Sequence, residues 1–290
     1  MQDSKKMLPA LLQSTGTIDE DKSKWEGARC GALFSCAVAR MIDGGGKRSL
    51  TERVNILGVT VDAVTMAEAV DVVRAHMDAR TGVMVATANA EMIMRATKDR
   101  ELRDILNEAV LVVPDGAGTV WAAHHLGYAM PERVAGFDLV QELLRRAPKE
   151  QRRIYFLGSA PGVAEKAKEK AQRLYPGISI VGVRDGFFKE DESTAITAQI
   201  KAAQPDLLLV ALGVPKQEKW IHKHLKELDV PVAIGVGGTL DVMAGVMKRA
   251  PRWMQRAKLE WLFRGLLQPQ RAGRLLALPK FVLKVHASRK

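Results

Sequence analysis

The chain has 290 residues, 47% of them hydrophobic and 27% charged, with a mean hydropathy of −0.08. That balance excludes a disordered polymer, and no apolar run approaches the roughly 20 residues that a membrane-crossing helix needs. The net charge of +11 is unevenly placed: from Lys248 onward twelve Lys and Arg face the single acid Glu260, whereas residues 1–247 hold 32 bases and 32 acids.

Residues 1–50 contain polar clusters, the triplet Gly44-Gly45-Gly46 and no sustained periodicity, so they are expected to form a poorly ordered extension. Their start is polar and mixed in charge, which does not suit a secretory signal. Cys30 and Cys36 have no His or Cys partners at zinc-like spacing and read as reduced thiols. From residue 51 to 240, apolar strand-like runs alternate with helical patterns. A strand is expected over Val54–Val64, a helix over Met66–Ala79, a strand at Val83–Ala88 and one long helix over Ala90–Ala109. A strand at Val110–Val113 and helices over Gly118–Leu126 and Phe137–Ala147 follow. Then come strands at Ile154–Leu157, Ile178–Arg184, Leu207–Leu212 and Val232–Val236, interleaved with helices at Val163–Leu174, Glu192–Ala203 and Lys216–Leu228. Strands separated by helical segments of this length pair in parallel, because only a crossover returns the chain to the same edge of a sheet. The expected fold class is therefore α/β: a Rossmann-like, mostly parallel sheet flanked by helices.

After Gly238 the pattern changes. Leu240–Arg274 reads as helical and basic, with Trp253, Trp261, Leu262 and Phe263 among arginines, and Leu275–Val285 adds a further apolar and basic segment. Residues 241–290 thus read as a basic amphipathic appendage suited to an anionic bilayer surface. Nucleic acid is the alternative partner of such a tail, but its aliphatic content at helical spacing and the lack of a recognisable nucleic-acid module argue against one.

In open parallel sheets, ligands sit beyond the carboxyl ends of the strands. The polar residues found there are Thr87 and Asn89, Asp115 within Pro114-Asp115-Gly116, Gly158 and Ser159, and the run from Gly213 to Gln217. Asp115 follows a buried apolar run and precedes glycine, so its carboxylate can project into a crevice and act as a general base, although Asp-Gly equally suits a turn or cap. Thr87 and Asn89 equally suit capping of the helix that begins at Ala90. The Gly158-Ser159 turn leads into a helix, and Gly235-Val236-Gly237-Gly238 offers a second close-approach turn; each suits a diphosphate, and each equally suits tight backbone geometry alone. The spacing of a dinucleotide fingerprint is missing. The six histidines are scattered and no Asp-x-Asp or HExxH pattern occurs, so neither a catalytic metal nor another cofactor is expected.

Several motifs then occur in a telling order: Ala86-Thr87-Ala88-Asn89-Ala90-Glu91-Met92, Pro114-Asp115-Gly116, Arg133-Val134-Ala135-Gly136, Phe156-Leu157-Gly158-Ser159, Gly213-Val214-Pro215-Lys216-Gln217-Glu218 and Gly235-Val236-Gly237-Gly238. Together, over about residues 54–275, they resemble the WecG/TagA/CpsF glycosyltransferase family. The resemblance implies transfer of N-acetylmannosamine, its uronic acid or a related hexose from a UDP-sugar donor to an undecaprenyl-diphosphate-linked saccharide acceptor, with inversion and without metal. It implies Asp115 as catalytic base, Thr87, Asn89 and Gln217 around the sugar, Arg133 in the pocket, and Arg264, Arg271 and Arg274 of the appendage on the diphosphate. It also implies a peripheral location on the inner face of the cytoplasmic membrane, and self-association through surfaces that the appendage would cover. A nucleotide-cofactor oxidoreductase and a non-catalytic membrane-surface scaffold are the rival readings.

Overall fold

The computed structural model describes residues 52–257, 260–267 and 277–289. The expectations for residues 1–50, including Cys30 and Cys36, lie outside the described residues, as do Arg271 and Arg274.

The first expected strand is instead a hairpin. β1 (Arg53–Ile56) and β2 (Val59–Asp62) pair antiparallel around Leu57 and Gly58. Both turn residues have positive φ, 54° and 91°, the two-residue turn whose twist matches a hairpin. Asn55 Oδ1 accepts from the Gly58 amide at 2.9 Å. The hairpin lies against β4 (Leu111–Pro114), where buried Asp62 accepts from Arg53 Nε at 2.9 Å and from the Val112 amide at 2.7 Å.

Next comes α1 (Met66–Ala79), opened by a capping box between Thr65 and Glu68. β3 (Val83–Ala88) follows. The long helix expected over Ala90–Ala109 is divided into α2 (Ala90–Ala96) and α3 (Arg100–Glu108). The cause is local: Asp99 adopts an extended backbone and its Oδ1 accepts from the Leu102 amide at 3.0 Å, so a new helix starts there.

The remaining units are α4 (Ala117–His125), α5 (Gly136–Arg146), β5 (Arg153–Gly158), α6 (Val163–Leu174), β6 (Ser179–Arg184), α7 (Ser193–Ala202), β7 (Leu207–Ala211), α8 (Lys216–Leu228) and β8 (Val232–Gly235). A short 3-10 turn at Glu190–Glu192 precedes α7. Six strands form one sheet in the order β4-β3-β8-β7-β5-β6, every pair parallel. Their near-continuous apolar runs are what burial on both faces requires. Successive side chains point to opposite faces. Thus Ala86, Leu157, Leu208 and Val210 join the core under α2, α3, α7 and α8, while Val85, Phe156, Leu209 and Ile234 join the core under α1, α5 and α6.

Beyond β8 the stretch expected to be helical holds several short helices. α9 (Thr239–Ala244) ends at Gly245, whose φ of 75° is a left-handed cap, and Pro251 then precedes α10 (Arg252–Arg256) and α11 (Glu260–Leu267). α12 (Ala277–Ser288) packs on α2 and α4, with Phe281 and Val285 fully buried in the core and Val282 and Leu283 exposed. Part of the apolar face expected for a bilayer therefore serves the core. Among the described residues no helix is long and apolar enough to cross a membrane.

Candidate active site

A cleft lies beyond the carboxyl ends of β4, β3 and β8, the place where open α/β sheets bind ligands. Thr87 from the end of β3, Asp115 from the turn after β4, Gly136 and Phe137 from the start of α5, and Val236, Gly238 and Thr239 from the turn after β8 line it. Arg249 and Glu260 close the side contributed by the tail.

The backbone brings Asp115 there. Its amide donates to Ala88 O at 2.9 Å, extending the β3–β4 pairing by one step, and Gly116 with a φ of 93° then turns the chain into α4. Asp115 therefore stands at a strand end and lines the cleft shared with the second glycine turn. Buried Thr87 is fixed by donation from Oγ1 to Gly235 O at 3.2 Å, and a Cβ on Gly136 would come within 2.8 Å of Thr87 Cγ2. Helix α5 thus starts in contact with Thr87 because position 136 has no side chain.

Asn89 is the N-cap of α2: its Oδ1 accepts from the Met92 amide at 3.0 Å, and it is not among the residues lining the cleft. Gln217 is 1% exposed and also lies behind the cleft wall. Its Oε1 accepts from the amides of Gly213 at 3.1 Å and Gly237 at 3.0 Å, tying the turns after β7 and β8 together. Gln217 Nε2 donates to Glu218 Oε1 at 2.7 Å, and a Cβ on Gly235 would lie 2.8 Å from that nitrogen. Glu218 Oε2 is buried with no hydrogen-bond partner among the described residues, and burial pushes the carboxyl up to about 7 against the lowering effect of the Gln217 hydrogen bond. Gln217 thus holds the turn after β8, whose Val236 and Gly238 line the cleft.

Gly158 and Ser159 do not reach this cleft. At Gly158 the need is steric, since a Cβ would lie 2.4 Å from Ala211 O, and Ser159 donates its amide to that same oxygen at 2.9 Å. Gly238 lines the cleft and Gly237, with a φ of 53°, makes the turn. Of Arg264 only the backbone, within α11, is described.

Arg133 Nη1 donates to Glu260 Oε2 at 3.1 Å. Arg249, which sequence reasoning missed, donates to both oxygens of Asp138 at 2.6 and 2.8 Å, lies over the Phe137 ring at 4.7 Å and brings Nε to 3.5 Å from Glu260 Oε1. A signal for this cluster was present: Glu260 is the one acid from Lys248 onward, and a single acid among many bases is there to pair with something specific.

Comparison with known proteins identifies the family. The model of the Glycosyl transferase WecG/TagA/CpsF family matches residues 54–290. A Bacillus subtilis (strain 168) protein named N-acetylglucosaminyldiphosphoundecaprenol N-acetyl-beta-D-mannosaminyltransferase is 39% identical over 210 residues, covering 72% of this chain and 81% of its own length. A Staphylococcus aureus (strain NCTC 8325 / PS 47) protein of the same name is 35% identical over 241 residues, covering 82% of this chain and 94% of its own. The match over residues 54–290 and these two relatives place the chain in the WecG/TagA/CpsF family of glycosyltransferases.

Proposed function

We propose that the chain moves an N-acetylmannosamine-type hexose from a UDP-sugar to an acceptor saccharide carried on undecaprenyl diphosphate, in the synthesis of a cell-surface or teichoic-acid-type polymer. The acceptor class and the sugar follow the names of the relatives. The observation that carries the reading is the placement of Asp115, a carboxylate on a rigid strand end in the cleft that Thr87 and the Gly238 turn share. Asp115 takes the proton from the acceptor hydroxyl as that oxygen attacks the anomeric carbon, and the UDP leaves from the opposite face, which inverts the configuration. Arginines at the cleft mouth and in the tail, Arg264, Arg271 and Arg274 among them, accept the leaving diphosphate's charge, so a metal is not needed for that role. The tail from residue 241 holds the enzyme on the inner face of the membrane, where the lipid-linked acceptor is, and self-association rearranges there.

The test is turnover of UDP-N-acetylmannosamine with an N-acetylglucosaminyl prenyl-diphosphate analogue, read as released UDP. Asp115→Asn is expected to lose at least 100-fold in kcat, on the order of a general base's contribution, while still binding UDP. Full activity in that variant removes Asp115 from the mechanism, and absence of turnover by the unaltered enzyme with any UDP-hexose removes the reading.

A further inference from the structure

Glu260 is drawn into the cleft, its side chain 12% exposed, and its two oxygens meet two different guanidiniums: Oε2 that of Arg133 at 3.1 Å and Oε1 that of Arg249 at 3.5 Å. A carboxylate whose oxygens are shared between two arginines has the shape and charge of one face of a phosphate, which arginine recognises through the same forked geometry.

The two arginines are not held alike by their other neighbours. Arg249 is anchored independently of Glu260, by the two short bonds to Asp138 and by the Phe137 ring beneath it. Its contact with Glu260 is the longer, single one. Taking Glu260 away therefore leaves the Arg249 guanidinium in place, and changes the balance among Arg133, Arg249, Asp138 and Glu260 from neutral to a net charge of +1. The cleft that Asp115 lines would then present an anion site on the side that Arg249 contributes, with Arg133 behind it.

We propose that Arg133 and Arg249 form the diphosphate subsite of the cleft and that Glu260 occupies it as a built-in stand-in, which the diphosphate of the sugar nucleotide displaces. This rests on the reading above only for the nucleotide attached to the diphosphate. Arg249 is then a binding residue, Asp138 the residue that positions it, and Glu260 a competitor that lowers affinity for the anion while keeping the empty arginines paired.

The experiment is calorimetric titration of the full chain with inorganic diphosphate, UDP and uridine. Glu260→Gln is expected to bind inorganic diphosphate and UDP about tenfold more tightly, the factor that 1.4 kcal/mol represents, with uridine affinity unchanged. Glu260→Asp, which withdraws the carboxylate, is expected to give a smaller gain, and adding Arg249→Ala or Arg133→Ala to Glu260→Gln is expected to abolish it. Thermal denaturation verifies that each variant is folded, and Glu260→Asp carries the test where Glu260→Gln is not. Unchanged diphosphate affinity in the folded glutamate variants overturns the subsite. A diphosphate gain together with failure of any variant to bind UDP upholds the subsite and refutes the UDP donor.

Discussion

Replacing Glu218 with glutamine turns a buried, half-paired carboxyl into a measurable pH dependence. In the folded chain this carboxyl titrates at about 7, with burial as the main cause, against an ordinary value of 4.5. Below 4.5 it is protonated in both folded and unfolded chains and contributes no pH dependence. Between 4.5 and about 7 the unfolded chain releases the proton and the folded chain keeps it, so stability falls as pH rises, and above 7 the loss levels off. At 1.36 kcal/mol per pH unit, the interval corresponds to roughly 3 kcal/mol. Glutamine keeps an oxygen for Gln217 Nε2 and never ionises. Its amide replaces the unpartnered Oε2 and adds a constant cost of about 1–3 kcal/mol for an unsatisfied donor. The difference in unfolding free energy between Glu218→Gln and the unaltered chain should therefore shift in the variant's favour by about 3 kcal/mol between pH 4.5 and pH 8. Urea unfolding followed by circular dichroism at those two pH values measures it. A difference that stays constant with pH would show that the carboxyl is ionised, or equally hydrated, in both states, and would refute the reasoning.

Three further substitutions probe the packing around the sheet. Gly136→Ala forces a methyl against Thr87 Cγ2 and should cost about 1–3 kcal/mol of stability, as overpacking does. Thr87→Ser in the same chain removes the clashing methyl, so a double-mutant cycle by thermal denaturation should show recovery; additive losses would contradict the contact. Asp62→Ala leaves the Val112 amide without its buried acceptor and should cost about 1–3 kcal/mol in chemical denaturation. A loss below 0.5 kcal/mol, the ordinary range for surface changes, would mean that water replaces the carboxylate there.

Local chemistry was legible wherever a single segment decides its own structure. The helices Val163–Leu174 and Lys216–Leu228 and the buried strands fall within a residue of the expected bounds, because hydrophobic period and flanking turn residues act over one element at a time. The same locality explains two errors. Leu57 and Gly58 turn the first expected strand into a hairpin, and Asp99 restarts a helix in the middle of a continuous apolar pattern, both effects of single residues on an otherwise uniform period.

The sequence by itself determined a parallel α/β sheet, a neutral body with a basic tail, and Asp115 at a strand end. Only the tertiary structure decided the sheet order, which sets β3 between β4 and β8 and so brings Thr87, Asp115 and Gly238 to one cleft while leaving Gly158 and Ser159 outside it. It also decided that Gln217 holds the turn after β8 without lining the cleft and that Arg249 and Glu260 line its tail side. The physical reason is sequence separation: Arg249 follows Asp138 by 111 positions and Glu260 follows Arg133 by 127. Pairings at such distances leave no local periodicity, since they arise only after the strands have packed and the tail has folded back on them.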